Sequence, residues 1–206
     1  MAHKDTGAGD ETTSPAHAAP GHPGIAPRWT SSAKNGVGTA VGPASRVWFT
    51  ISHGIVNEVY YPGVDQANTR DMGFIVTDGE SFFSEEKRDT TSRAEVIEPG
   101  VLGYEITNTC CDGRYRIIKT IITDPERDVL LQHVRFEPLR GSLSNFRLYA
   151  LLAPHLANQG LGNSGWFGDY KGVPMLFAER GARALALACS AKIIAASCGY
   201  AGTSDG

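Results

Sequence analysis

Three carboxylates, Glu58, Asp65 and Asp71, fall within one short stretch together with His53, Asn57, Arg70 and the tyrosine pair Tyr60–Tyr61. Two carboxyl groups flanking a sugar–sugar bond, one as acid and one as base or nucleophile, suffice for glycoside hydrolysis. Tyr60, Tyr61 and the nearby Trp48 are the side chains that stack on sugar rings. The competing reading is that Arg70 only ties the loop together through an ion pair with Asp65 or Asp71.

The elements that carry these residues decide between the two. Val47, Phe49 and Ile51 alternate with Trp48 and Thr50, the period-2 pattern of a pleated strand. A second strand follows over Val56–Tyr61. Alternation along it sends Glu58 and Tyr60 to one face and Asn57, Val59 and Tyr61 to the other, which separates the groups a catalytic pair would need. Phe74–Thr77 and Ser81–Phe83 flank Asp78–Gly79, a hairpin signal, and Asp112–Gly113 joins Val101–Thr109 to Arg114–Thr123 in the same way. Further strands are expected over Val129–Glu137 (Leu130, Val134 and Phe136 on one face), Phe146–Leu152, Leu176–Glu179, Arg183–Cys189 and Lys192–Ser197. No window of ten or more residues carries a helical stripe. The chain is therefore all-β, an antiparallel sandwich or barrel of roughly ten to twelve strands. The Gly/Asn-rich passage His155–Gly172 reads as a long loop interrupting the meander.

Within that loop Trp166, Phe167 and Tyr170 lie among glycines, which suits either a sugar-stacking platform or a small core of the loop's own. Gly36-Val-Gly-Thr has the look of a phosphate loop, but no helix follows it, so a tight turn at Asn35–Gly36 is the expectation. Ser52–His53 are adjacent, no Gly-x-Ser-x-Gly elbow exists, and His133 and His155 read as satisfied core or edge histidines. No catalytic set, metal-ligand set or cofactor motif follows from these residues. His3, His17 and His22 are too irregularly spaced to hold a metal. Cys110 and Cys111 are adjacent and Cys189 and Cys198 have no zinc spacing, so four reduced, mostly packed thiols are expected, with a Cys189–Cys198 bridge open if the protein is exported.

With 206 residues, 41% hydrophobic and 20% charged, the chain can fill one sizeable core. A net charge of −3 without a basic stripe argues against nucleic acid. No apolar run reaches the roughly 18–20 residues of a membrane span. Residues 1–27 hold almost no large apolar side chain and read as a disordered leader ahead of a single domain over residues 28–206. The leader has no apolar signal core, so the cytoplasm is the expected compartment, or the exterior if translation starts upstream.

Beyond these readings, PGIAPRWTSSAKNGVGTA, SRVWFTISHGIVNEVYYPGVDQANTRDMGFIVTDGE, FFSEEKRD, TDPERDVLLQHVRF, LYALLAPHL and the closing SCGYAGTSDG resemble the N-terminal domain of bacterial and archaeal glucoamylases and glucodextranases of glycoside hydrolase family 15. The resemblance covers nearly everything after the leader. It implies a large antiparallel β-sandwich of the galactose-mutarotase-like super-sandwich type, packed on a separate catalytic α/α barrel that carries the two catalytic glutamates of an inverting α-glucosidase. No position here matches the motifs that bear those glutamates. The family's sandwich also continues past Gly206, so the resemblance implies sheets short of their last strands and an open edge. The implied partners are the barrel and, secondarily, α-glucan oligosaccharides, with His53, Asn57, Glu58, Tyr60, Tyr61, Asp65, Arg70 and Asp71 as docking or substrate-entrance candidates. Two other readings compete: a free carbohydrate-binding module that uses Trp166, Phe167 and Tyr170, or the Tyr60–Tyr61 pair, and a glycosidase in its own right with Glu58 and Asp71.

Overall fold

A computed structural model describes residues 22, 24–26, 28, 29 and 33–202. Its strands are β1 (Gly36–Thr39), β2 (Trp48–Ser52), β3 (Ile55–Tyr60), β4 (Thr69–Thr77), β5 (Phe83–Glu85), β6 (Thr90–Val96), β7 (Tyr104–Cys110), β8 (Tyr115–Thr123), β9 (Leu130–Pro138), β10 (Arg147–Pro154), β11 (Ser164–Tyr170), β12 (Val173–Arg180) and β13 (Arg183–Leu187). Three antiparallel sheets result. The first runs β1-β2-β3-β4-β10 with β5 also on β4, the second β6-β7-β8-β9, and the third β11-β12-β13. No helix among the described residues is long and apolar enough to cross a membrane.

The first two sheets stack face to face. Phe49, Ile51 and Val56 meet Ile106 and Ile121 at one end. At the other end Phe74, Val76 and Phe82 meet Cys110, Tyr115 and Ile117. Apart from Phe82, which lies just before β5, each of these side chains sits on its strand facing the core. The period-2 pattern in the sequence is therefore largely the pattern of the core. Val134 and Phe136 of β9 add to the same layer, as their phase anticipates.

Both Asp-Gly hairpins form. Asp78 Oδ1 accepts the backbone N–H groups of Glu80, Ser81 and Phe82 at 2.9–3.0 Å, which closes the first loop without any distant contact. Those bonds, led by the Glu80 and Phe82 amides, hold the Asp78 carboxyl below its usual value. The second, across Asp112–Gly113, is closed by Gly113 N–H donating to Cys110 O at 2.8 Å.

Three expectations need correction, and one strand was missed. Gly36-Val-Gly-Thr is not a turn but strand β1, paired with β2 from Gly36↔Ile51 to Thr39↔Trp48. Its glycines serve close approach: a Cβ on Gly38 would collide with the Phe49 ring, and one on Gly36 would lie 2.6 Å from Tyr104 Cζ. The passage His155–Gly172 is not a continuous loop, because Ser164–Tyr170 forms β11 and pairs with β12 along its whole length. Glycines masked that strand by diluting its side-chain pattern. Lys192–Ser197 forms no strand, and Ile194 stays 89% exposed there. Strand β6 was not anticipated, since Thr90–Val96 is exposed along nearly all of its length and shows no apolar alternation.

All four cysteines are free, with Cys110 buried but Cys111 and Cys189 exposed, so two of the four thiols are not packed. Residues 1–21 of the expected leader, with 23 and 27, lie outside the described residues. At its end Ile25 N–H donates to Ala201 O at 2.8 Å and the His22 ring meets Tyr200 edge-on. Among the described residues β10 pairs with β4 alone, and Leu148, Tyr149 and Leu151 on it are 40–53% exposed.

Candidate functional site

The eight residues of the central stretch do not form one site. The β2–β3 pairing is regular at Trp48↔Tyr60 and Phe49↔Val59, then skips to Ile51↔Val56, so two residues, Asn57 and Glu58, face one. A bulge of this kind bends the strand and splits neighbouring side chains. Glu58 joins Thr50 and Tyr60, whose hydroxyls donate to it at 3.1 and 3.2 Å, and forms an ion pair with Lys34. Burial, followed by the Glu58 charge, raises the Tyr60 phenol above its ordinary value. Asn57 instead donates to Asp71 Oδ1 at 2.9 Å.

Tyr61 belongs to a third place. Arg46 donates to Tyr61 Oη and to Asp128 Oδ2, both at 2.6 Å, and lies over the Tyr61 ring at 4.8 Å. Those Arg46 hydrogen bonds hold Asp128 below the usual carboxylate value. This cluster links the start of β2 to the β8–β9 turn. His53 is a fourth. It sits exposed at φ 50° in the β2–β3 turn, its Nδ1 3.0 Å from Ser52 Oγ and its N–H donating to Asn35. Asp65 enters through its carbonyl, which accepts from the Asn158 amide at 2.7 Å.

The groups that do converge surround Arg70 and Asp71. The β4–β10 register runs Ala153↔Asp71 and then Pro154↔Thr69, which leaves Arg70 as the extra residue of a bulge. A bulge re-aims the side chain it carries, and here Arg70 Nε comes within 3.4 Å of Asp71 Oδ2 although the residues are adjacent. Of the two ion pairs offered by the sequence, Arg70–Asp71 is the one present. Lys87, from the β5–β6 connection, donates to both Asp71 oxygens at 3.0–3.1 Å. His155 follows β10 directly, its N–H bonded to Asn68 O at 2.9 Å, and Trp29 meets its ring at 4.6 Å with a 72° tilt.

His155 was expected to be a satisfied histidine, and the structure corrects this. It is 6% exposed and its Nδ1 has no hydrogen-bond partner. Lys87 and Trp29 escaped the sequence reading, and His155 was read there only as a core or edge histidine, because the bulge near which they meet leaves no spacing signature. Burial first, then the Arg70 charge, depress the His155 pKa, with Asp71 acting the other way. The folded chain thus binds this proton less readily than the unfolded one. Its contribution to stability is complete above about pH 6.5 and declines as pH falls from there toward the lower folded value. Urea midpoints between about pH 7 and about pH 5 should show this decline, and His155→Gln should make that limb shallower.

The sugar-platform candidates also divide. Alternation along β11 puts Trp166 and Tyr170 on one face and Phe167 on the other. Trp166 stacks on Phe177 at 5.4 Å, and the Lys171 ammonium lies 5.1 Å from the Tyr170 ring centre. The three do not make one flat surface. Among the described residues no group of three or more His, Cys, Asp or Glu gathers where it could hold a metal ion. Glu58 and Asp71 are each engaged by cations and by further donors within their own clusters.

A buried pair that the sequence reading missed matters most to the architecture. Lys119 on β8 and Glu86 beyond β5 are both fully buried and meet at 2.7 Å. Glu86 closes a gap between β3 and β5: Phe74 N–H donates to its Oε2 at 3.1 Å, and its own N–H donates to Phe74 O at 2.9 Å. Lys119 Nζ and Asn108 Nδ2 both donate to Gly54 O, at 2.7 and 2.8 Å, which ties the β2–β3 turn to the opposite sheet. The signal was present in the sequence, since Lys119 occupies an inward phase between Ile117 and Ile121.

Comparison with known proteins fits this architecture. The chain is 45% identical to a glucoamylase of Clostridium sp. (strain G0005) over 158 residues, which is 77% of this chain and 22% of that protein. A crystal structure of a bacterial glucoamylase complexed with acarbose superposes with a TM-score of 0.77 at 43% identity, covering 80% of this chain and 24% of that one. The chain therefore spans less than a quarter of the length of these relatives. The sequence model of glucodextranase, domain N, matches residues 19–206, and the chain belongs to that family.

Proposed function

We propose that this chain is the non-catalytic N-terminal domain of an α-glucan hydrolase, and that it stabilises a separate catalytic α/α barrel. The observation that carries this reading is the lopsided coverage: similarity runs through about four fifths of this chain but about a quarter of the glucoamylase chain. The chemistry supports it, because Glu58 and Asp71 sit in separate ion-paired clusters. α-Glucan oligosaccharides are the substrate class of the whole enzyme on this reading.

The test is to produce the barrel alone and together with this domain. Glucose release from maltooligosaccharides should be absent for this chain alone. The barrel should lose thermal stability when the domain is withheld and regain it when the domain is added in trans. The absence of both binding and recovery on mixing would sink the reading. A change in tryptophan fluorescence with millimolar maltodextrin would point instead to a free carbohydrate-binding module.

A further inference from the structure

We infer that the gap between β6 and the β2–β3 turn is a binding site for one neutral sugar ring. It is separate from the clusters around Glu58, Tyr61 and Asp71, and it does not depend on the domain-support reading.

The site is a cavity of about 210 Å³ between the two stacked layers. Ile51 of β2 and Ile106 of β7 line it from the core, and Ser92 and Ala94 line it from β6. The pairings Ser92↔Asn108 and Ala94↔Ile106 put these two small residues on the same face as two fully buried ones. Ser92 and Ala94 nevertheless stay exposed. Gly54 faces Ser92 from the other layer, so closely that a Cβ on it would lie 2.8 Å from Ser92 Cβ. Small side chains at inward positions leave open a space that larger ones would fill, as they do elsewhere between these layers. The cavity is built by residue choice.

Its chemistry selects the occupant. No ionisable side chain lines it. A charged ligand would lose its water there and find no opposite charge. Ser52 and Asn35 line the rim and are partly engaged, Ser52 Oγ lying 3.0 Å from His53 Nδ1 and Asn35 Oδ1 accepting the His53 N–H at 3.2 Å. The Ser92 hydroxyl and the Asn35 amide N–H groups have no partner among the described residues. Asn108 adds a buried acceptor. Its amide nitrogen donates to Gly54 O and Glu86 Oε1, while its Oδ1, beside Gly54 and Ser92, receives no hydrogen bond. An unmet acceptor next to a cavity favours an occupant that brings hydroxyl groups. Ile51, Ile106 and Ala94 present hydrocarbon to the rest of it. Apolar walls with uncharged donors and acceptors match the C–H faces and hydroxyl rim of a pyranose. Pockets for drug-sized ligands begin at roughly 300 Å³, so this smaller space takes one ring and not a chain of them.

Glucose is the probe, followed through backbone amide shifts by NMR because no tryptophan lines the cavity. Saturable shifts should appear at Ser52, Gly54, Ser92 and Ala94 and should not change with added NaCl. Glucuronate, the same ring with a carboxylate, should bind at least about tenfold more weakly. Ala94→Leu fills the cavity and should weaken glucose binding by at least about tenfold. Ser92→Ala keeps the room but removes one hydroxyl, and should weaken binding by roughly two- to tenfold. It also keeps the test decisive if Ala94→Leu fails to fold, which circular dichroism and the urea midpoint report. The inference is overturned if wild-type chain shows no saturable shifts or shows them elsewhere. Equal binding of glucuronate, or undiminished glucose binding by folded Ala94→Leu or by Ser92→Ala, overturns it as well. None of these results bears on the domain-support reading, which the mixing experiment with the barrel decides.

Discussion

Replacing Lys119 with methionine should destabilise the chain by about 3–5 kcal/mol, the usual consequence of stranding one partner of a buried ion pair. Lys119 and Glu86 are both 0% exposed, so no water can take over the role of the lost ammonium. Glu86 cannot simply discharge the problem by moving outward, because its Oε2 accepts the Phe74 N–H in the gap between β3 and β5. Lys119→Met also removes one of the two donors to Gly54 O. A second substitution sharpens the test. Glu86→Gln in the Lys119→Met background removes the stranded charge yet keeps a carbonyl oxygen for Phe74, so it should recover a large part of the loss. Glu86→Leu should recover less, because it orphans a strand N–H that is out of reach of solvent. Urea-denaturation midpoints of the three variants check the order. Equal midpoints for wild type and Lys119→Met would mean that the pair contributes nothing net.

Gly54→Ala should cost about 3–5 kcal/mol by a different route. Gly54 has φ +73°, where a Cβ is strained on its own account by roughly 1–2 kcal/mol. The added methyl would also collide with Asn108 Oδ1 and lie 2.8 Å from Ser92 Cβ. Asn108 has no freedom to retreat, since its amide donates to both Gly54 O and Glu86 Oε1. The two variants act on the same carbonyl, so their effects should not add. The Gly54→Ala/Lys119→Met double variant should be less damaging than the sum of the singles by about 0.5–3 kcal/mol. Strict additivity, read from the same urea curves, would show that the turn and the ion pair are independent.

How much of this was legible in the sequence follows from where the information resides. The Asp78–Gly79 and Asp112–Gly113 hairpins were legible because their determinants are local, and Asp78 satisfies its own loop. Strands β8 and β9 were legible because their apolar residues repeat with the strand period. Strand β6 was not, because it is held by backbone pairing to β7 and buries little. Strand β11 was hidden by its glycines and is fixed by its register with β12. The site was legible only in part. Arg70 and Asp71 stood out by type, but their companions are brought in by the displaced register at Pro154 and by residues far along the chain. Trp29 and His155 meet across most of the domain's sequence, and nothing in either neighbourhood announces the other. Alternation correctly separated Glu58 and Tyr60 from Asn57, while the extra residue in β3 and the contacts with Lys34 and Asp71 lay beyond what a period could reveal.

The shared Gly54 carbonyl also constrains the order in which the chain can assemble. Its donors, Asn108 and Lys119, lie 54 and 65 residues away in sequence. Each hairpin can close early from nearby residues, whereas this junction requires the two layers to have found each other. Loop-closure entropy is spent before such a contact returns anything, which places the completion of this junction late, after the rate-limiting barrier. The same two side chains that hold the finished sandwich in alignment would then be nearly silent in the folding rate and conspicuous in the unfolding rate.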